Sequence, residues 1–344
     1  MDDALRRTVS VIICSHNPRP DYLARVLESL KAQTLARAEW ELLLVDNASS
    51  RRLADSWDLS WHPCHAHVRE DELGLTPARL RGIREASGSL LLFLDDDNLP
   101  APDYLERAVM IERMYPYLGV VGAGVLEPEF EIAPLPELVP LLGRLALRTS
   151  SGHLWTSNPK VEQCVPWGAG LCVTRPIAAA YVQIIERLKI SHVLDRHGER
   201  LFCGGDDLFS WVSARNGSGF GVFPELRITH LIGAHRLTRS YFLRLVHDHA
   251  YSHGILDYLY FGDEQERWGV EAVVRTVLLG IRRGWFSMRC RWAAACGARS
   301  ATRFLAVQGM RPITHGEHST RTLVLRTIVL LHSAGELYWM IGHA

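Results

Sequence analysis

The 344 residues contain no CxxC pair, and the seven cysteines, at positions 14, 64, 164, 172, 203, 290 and 296, are odd in number and scattered. That pattern offers no zinc framework and no disulfide scaffold, and it suits a reducing compartment. Long apolar runs are also missing, since none reaches the roughly 20 residues a membrane span needs. The stretch 323–341 is apolar but carries Arg326, His332 and Glu336, which argues against spanning. Net charge is absent: Lys plus Arg and Asp plus Glu number 38 each, so no global field points to nucleic acid. The opening Met1-Asp2-Asp3 lacks the basic and apolar regions of a signal peptide. These gaps lead us to expect a cytoplasmic protein with no nucleic-acid partner.

What the chain does have is core material. With 47% hydrophobic and 22% charged residues, it can build one large domain or two of ordinary size. Charge is unevenly spread, because from residue 265 onward eleven Arg stand against four Glu. Val9-Ser10-Val11-Ile12-Ile13-Cys14 reads as a buried strand and runs into the turn formers of residues 15–20. A helix follows, with Asp21 as its cap and Leu23, Val26, Leu27 and Leu30 on one face. Trp40-Glu41-Leu42-Leu43-Leu44-Val45 is the next strand, ending at Asp46. Strand, helix, strand, each strand apolar throughout, predicts an α/β fold with a mostly parallel central sheet covered by helices. Ligands of such sheets bind at the carboxyl ends of the strands, where Ser15 and Asp46 fall.

The most informative stretch is Leu90-Leu91-Leu92-Phe93-Leu94-Asp95-Asp96-Asp97-Asn98. Five apolar residues lead directly into three carboxylates, which repel one another unless a cation or a set of donors stands among them. Mg²⁺ and Mn²⁺ take oxygen ligands and share carboxylates with nucleotide phosphates. A solvated acidic turn before a helix near Pro100 to Asp103 is the alternative, and the buried run ahead of the acids favours the metal and diphosphate reading. Upstream, Gly74 marks a turn, Thr76 a cap with Pro77 at the first helical position, and Arg79 and Arg81 are candidates for phosphate contact.

Four segments in register, Ser10-Val-Ile-Ile-Cys-Ser-His-Asn-Pro, Leu44-Val-Asp-Asn-Ala-Ser, Gly74-Leu-Thr-Pro-Ala-Arg-Leu-Arg-Gly-Ile and Leu92-Phe-Leu-Asp-Asp-Asp-Asn, resemble the nucleotide-sugar-binding half of family 2 glycosyltransferases of the GT-A fold. The resemblance implies that Ser15, Asn17 and Arg79 line the nucleotide site and that Asp46 contacts the base, often uracil. It further implies that Asp95, Asp96 and Asp97 hold ribose and metal, with Asp97 the direct ligand and Asp95 beside it. The expected cofactor is Mn²⁺ or Mg²⁺, and the expected donor a nucleoside diphosphate sugar with UDP favoured.

In the second half, a strand is predicted at Val120 to Val125, and residues 127–165 read as an irregular insertion that would cover an acceptor entrance. Trp167 and Gly168, in Val165-Pro166-Trp167-Gly168-Ala169-Gly170, are either a core anchor with its turn or, by the resemblance, the acceptor pocket. Asp206 and Asp207 follow two glycines at a helix start, where one acid can complement the dipole and the other project as a base. By resemblance this pair matches the family's Glu-Asp pair, with Asp207 the catalytic base of an inverting enzyme and Asp206 a shorter variant of the usual Glu. His230 ends a short strand and Arg236 follows in a loop; the resemblance implies a further metal ligand and a partner for the leaving diphosphate.

The expected layout is a GT-A domain over 1–262, divided at 125/126 into donor and acceptor halves, and a basic helical extension over 263–344. In that extension Arg275, Arg282, Arg283, Arg289 and Arg291 alternate with apolar residues, as a peripheral helix on the inner face of a membrane or a packed appendage would. The expected acceptor is a sugar, a lipid-linked sugar or a peptide. Two rivals are a nucleotidyltransferase, disfavoured because residues 15–21 contain no glycine to hold a triphosphate, and a catalytically silent nucleotide-sugar-binding protein, disfavoured by Asp206-Asp207.

Overall fold

The computed structural model describes residues 8–262, 285–310 and 312, and the backbone alone of 331–333 and 336–338. Strands β1 (Val9–Ser15), β2 (Trp40–Asn47), β3 (His65–Glu70) and β4 (Leu90–Asp95) form a parallel block in the order β3-β2-β1-β4. Side chains alternate across each strand, so one apolar run supplies both faces. Val9, Val11 and Ile13 of β1 and Leu90, Leu92 and Leu94 of β4 join the core under α1 (Pro20–Lys31) and α3 (Tyr104–Met114). Their neighbours Ile12, Leu91 and Phe93 join the opposite core with α2 (Leu75–Glu85), α4 (Arg175–Leu188) and α5 (Gly205–Arg215). There Tyr181 stacks on Phe209 with ring centroids 3.7 Å apart.

Beyond β4 the sheet continues through β9 (Leu171–Thr174), β6 (Leu118–Phe130), β10 (Gly219–Ile232) and β5 (Asn98–Pro100). β9 runs antiparallel to both β4 and β6, β10 is parallel to β6, and β5 is antiparallel to β10, so the whole is a mixed sheet. Strands buried on both faces are uniformly apolar whichever way they run, so direction leaves no mark on the sequence. The β6–β10 ladder loses register between Phe223 and Arg227. Pro224, which has no N–H to give, sits in that break.

Several local expectations are corrected. Thr76 does not cap α2; Gly74 holds that position with φ +138°, and the Thr76 hydroxyl donates to Asp195 instead. The α1 cap position falls at Arg19 rather than Asp21, whose carboxylate pairs with Arg19. Within 127–165, β6 reaches Phe130, a 3₁₀ run spans Pro136–Leu145, β7 (Arg148–Thr149) pairs with β6 and β8 (Leu154–Thr156) pairs with β10.

α6 (Arg239–Phe261) and α7 (Trp285–Gln308) complete the body. They approach so closely that a Cβ on Gly297 would stand 2.0 Å from the His247 carbonyl oxygen. Among the described residues no helix is long and apolar enough to cross a membrane. Arg275, Arg282 and Arg283 of the expected interfacial stretch lie outside the described residues, while Arg289 and Arg291 sit on α7.

Candidate active site

β4 ends at Asp95, and a two-residue turn at Asp96 and Asp97 returns the chain into β5. Because β5 pairs with β10, His230 lies opposite Asn98, and the Leu231 N–H donates to the Asp97 carbonyl at 2.8 Å. This pairing brings residues more than 130 positions apart into contact. His230 Nε2 lies 3.3 Å from Asp97 Oδ2, and Arg236 Nη1 lies 2.9 Å from that oxygen and 3.0 Å from the imidazole nitrogen.

The three acids do not share one electrostatic state. Burial would raise Asp97, but His230 and Arg236 overcome it and hold this carboxyl down at about 2. Burial and the charge of Asp97 push Asp96 up to about 7, although the Ser15 hydroxyl donates to it. Burial and Asp97 raise Asp95 as well. Like charges this close cannot all ionise, so the negative charge concentrates on the carboxylate next to the cationic groups.

A divalent ion fits this corner. A carboxylate oxygen and an imidazole nitrogen converge, the donor set that suits Mn²⁺. Arg236 already places positive charge within 3.0 Å of both, and His230 Nδ1 is buried with no hydrogen-bond partner. Among the described residues no group of three His, Cys, Asp or Glu gathers as a metal cluster, so Asp95 does not join Asp97 and His230 in such a set. Two protein ligands suffice for an ion that completes its shell with phosphate and water.

These groups open onto a cleft of about 720 Å³ at the carboxyl ends of the strands, lined also by Ser15, Asn17, Asn47, Gly168 and Asp206. Asp46 is not in that lining. Its carboxylate faces inward, 4% exposed, and accepts from the Ser49 and Leu53 amides and from Arg69 Nη1. The bonds outweigh the burial and keep its pKa low. The neighbouring Asn47, which sequence reasoning passed over, lines the cleft and ties two loops together, donating to the Glu72 carbonyl and accepting from the Gly74 amide.

Arg79 also differs from its sequence reading. It lines the cleft floor, but its guanidinium is 4% exposed and bonded to Asp195 at 2.8 Å. Asp195 accepts in addition from Thr76 Oγ1 and from the Gly205 amide at the start of α5, so one buried acid locks α2 to α5. Nothing in the sequence marks Asp195, because its partner is 116 residues away. Arg81 is spent on Glu85, 2.8 Å away along the same helix. Removing one member of a buried ion pair strands the other, at about 3–5 kcal/mol. Asp195→Ala is therefore expected to lower the unfolding free energy by about that amount, read as a shift of the urea midpoint. An unshifted midpoint contradicts this role.

Trp167 lies outside the cleft lining, with the Arg148 guanidinium 3.8 Å over its ring, while Gly168 is in the wall. A Cβ on Gly168 would come within 2.6 Å of Arg79 Nη2, so glycine permits this approach. The Gly168 amide donates to Asp206 Oδ2 at 2.8 Å, and Oδ1 of the same carboxylate accepts the Asp207 amide at 3.1 Å. Both oxygens of Asp206 are thus occupied. Asp207 is not in the lining itself; it stands one residue along α5, its side chain 18% exposed and 3.8 Å from His253 Nδ1. Burial and the charge of Asp206 push Asp207 up to about 7.

The sequence model for Glycosyl transferase family 2 matches residues 10–127. Glycosyltransferase AglE of Haloferax volcanii is 32% identical over 104 residues, 29% of this chain and 34% of that protein. O-antigen biosynthesis protein RfbC of Myxococcus xanthus is 28% identical over 208 residues, 57% of this chain and 15% of that protein. The chain therefore matches about a third or less of the length of these curated relatives. A mannosyltransferase of Pyrobaculum calidifontis, solved with GDP-Man and Mn²⁺, superposes with a TM-score of 0.50 at 19% identity, over 90% of this chain and 81% of that one. Such identity speaks to the fold, which is GT-A-like. The acid-ended strand and β5, which folds back from it to pair with β10, lie within the segment, residues 10–127, that is similar to glycosyltransferase family 2.

Proposed function

We propose that this chain transfers a sugar from a nucleoside diphosphate sugar to an acceptor hydroxyl, with inversion at the anomeric carbon. The observation that carries the reading is the convergence of Ser15, Asn47, Asp95, Asp97, Asp206 and Arg236 on one cleft at the carboxyl ends of the strands. That is where open α/β sheets bind nucleotides. In this reading residues 1–125 form the donor half and 126–262 the acceptor half. Asp97 and His230 would hold Mn²⁺ or Mg²⁺, as the Mn²⁺ of the Pyrobaculum neighbour suggests. When bound, such an ion offsets charge on the leaving diphosphate. Arg236, held against Asp97 and His230, contributes positive charge at the same place.

Asp207 is the general base in this proposal. Both oxygens of Asp206 already accept backbone N–H bonds, from Gly168 and Asp207, which ties that carboxylate to the wall and leaves its neighbour for the proton. Asp207, raised to about 7, is matched to proton transfer near neutral pH. Asp206 then positions: it holds Gly168 in the wall and its charge tunes Asp207. Its removal is expected to lower the pH at which activity appears as well as the rate. The test of the reading is to incubate the chain with UDP-, GDP- and dTDP-sugars in Mn²⁺ and measure slow release of nucleoside diphosphate. UDP-sugars are the first choice on resemblance. Release from one donor class supports a transferase, whereas no release from any contradicts it.

A further inference from the structure

Six arginines line the cleft. Three are paired: Arg19 with Asp21 and Glu131, Arg79 with Asp195, and Arg236 with Asp97. The other three, Arg144, Arg196 and Arg244, form no ion pair with a carboxylate among the described residues, although the charge of Arg196 also helps to lower Asp97. They come from separate elements, the 3₁₀ run Pro136–Leu145, the loop ahead of α5, and α6. Arg196 Nη1 is buried with no hydrogen-bond partner, and its Nη2 reaches only the Tyr241 hydroxyl, 3.5 Å away. His249, also in the lining, is pushed down to about 3 by burial and then by Arg196, His253 and Arg144, so it answers these cations by staying neutral.

Arg144 and Arg244 are exposed and solvated, but the buried Nη1 of Arg196 is left without an acceptor, and like charges lining one cleft repel unless an anion stands among them. The donor diphosphate would be met at the Asp97 end, by Arg236 and the ion held there. Three further guanidinium groups exceed that need. We propose that Arg144, Arg196 and Arg244 form a second anion subsite, which holds a phosphate group carried by the acceptor. The inference rests on the transferase reading above and names the acceptor's chemistry. Guanidinium forks fit phosphate oxygens in bidentate fashion, and three from separate elements enclose a tetrahedral anion better than a planar carboxylate. The phosphate belongs either to a lipid carrier or to a small phosphorylated sugar or polyol.

The test is calorimetric titration of the full chain, saturated with nucleoside diphosphate and Mn²⁺, using farnesyl phosphate and glycerol 3-phosphate as probes. At least one is expected to bind saturably, and the exposed pair Arg144→Ala/Arg244→Ala to weaken it tenfold or more. Binding of farnesyl phosphate alone assigns a lipid source, and binding of glycerol 3-phosphate assigns a small phosphorylated acceptor. Binding of neither, or equal affinity in the double variant, overturns the inference. Nucleoside diphosphate titrations on the same proteins separate the two proposals. If the double variant loses nucleotide affinity by the same factor, these arginines serve the donor and the second subsite does not exist, while the transferase reading stands. If the wild-type chain binds no nucleotide, the transferase reading fails and takes the subsite with it.

Discussion

Asp207→Asn is expected to lower turnover by about 10² to 10⁴, the usual worth of a general base, while donor affinity stays within about twofold. The asymmetry follows from position. Asp207 lies outside the cleft lining on α5, whereas the end proposed to take the diphosphate is built from β4, β5 and β10. The amide keeps the size of the side chain and cannot take a proton. Near-normal turnover in this variant would show that another group accepts the proton, and Asp206→Asn, tested in parallel, would identify the neighbour.

The same carboxyl sets a pH dependence. As the proposed base Asp207 would have to be ionised, and burial together with Asp206 raises it to about 7. Turnover is therefore expected to rise about tenfold per pH unit below that value and to level off above it. Stability runs the other way. Between the ordinary carboxyl value of 3.8 and about 7, the folded chain holds a proton that the unfolded chain has released. Unfolding free energy then falls as pH rises through this window. In Asp207→Asn that part of the slope should vanish. A pH profile of the melting temperature for both proteins, showing identical slopes, would contradict the raised carboxyl.

Asp97→Asn should remove the effect of metal on nucleotide binding. Altering groups around a bound metal commonly costs 10- to 100-fold in affinity, and loss of a direct carboxylate ligand should reach at least about 100-fold. Asparagine keeps the shape but withdraws the charge that His230 and Arg236 face at 3.3 and 2.9 Å. Nucleoside diphosphate affinity should become the same with Mn²⁺ and with chelator, and an undiminished difference would move the ion elsewhere.

How much was legible in the sequence depended on the range of the interactions. β1, α1, β2 and β4 could be read directly, because uninterrupted apolar runs and helical spacing are local properties. The acid triplet was legible for the same reason, since charge directly after a buried strand has no packing role. β6 and β10, at Leu118–Phe130 and Gly219–Ile232, are longer than the predicted Val120 to Val125 and the short strand ending at His230. Glycines and Pro224 dilute the pattern there, and only pairing between the two strands restores it. The position of Asp195 was invisible because its importance comes from Thr76, Arg79 and Gly205, contributed by other elements. Asp46 shows the converse. An acid at a strand's carboxyl end suggests a ligand, yet here the following turn and Arg69 take up its oxygens.

The assignment of the cleft is tested most directly by calorimetric titration of the wild-type chain with UDP, GDP and their sugars, each in Mn²⁺ and again in chelator. One saturable site for one nucleotide class, strengthened by Mn²⁺, is the expected result. Absence of binding by every nucleotide in both conditions would contradict it.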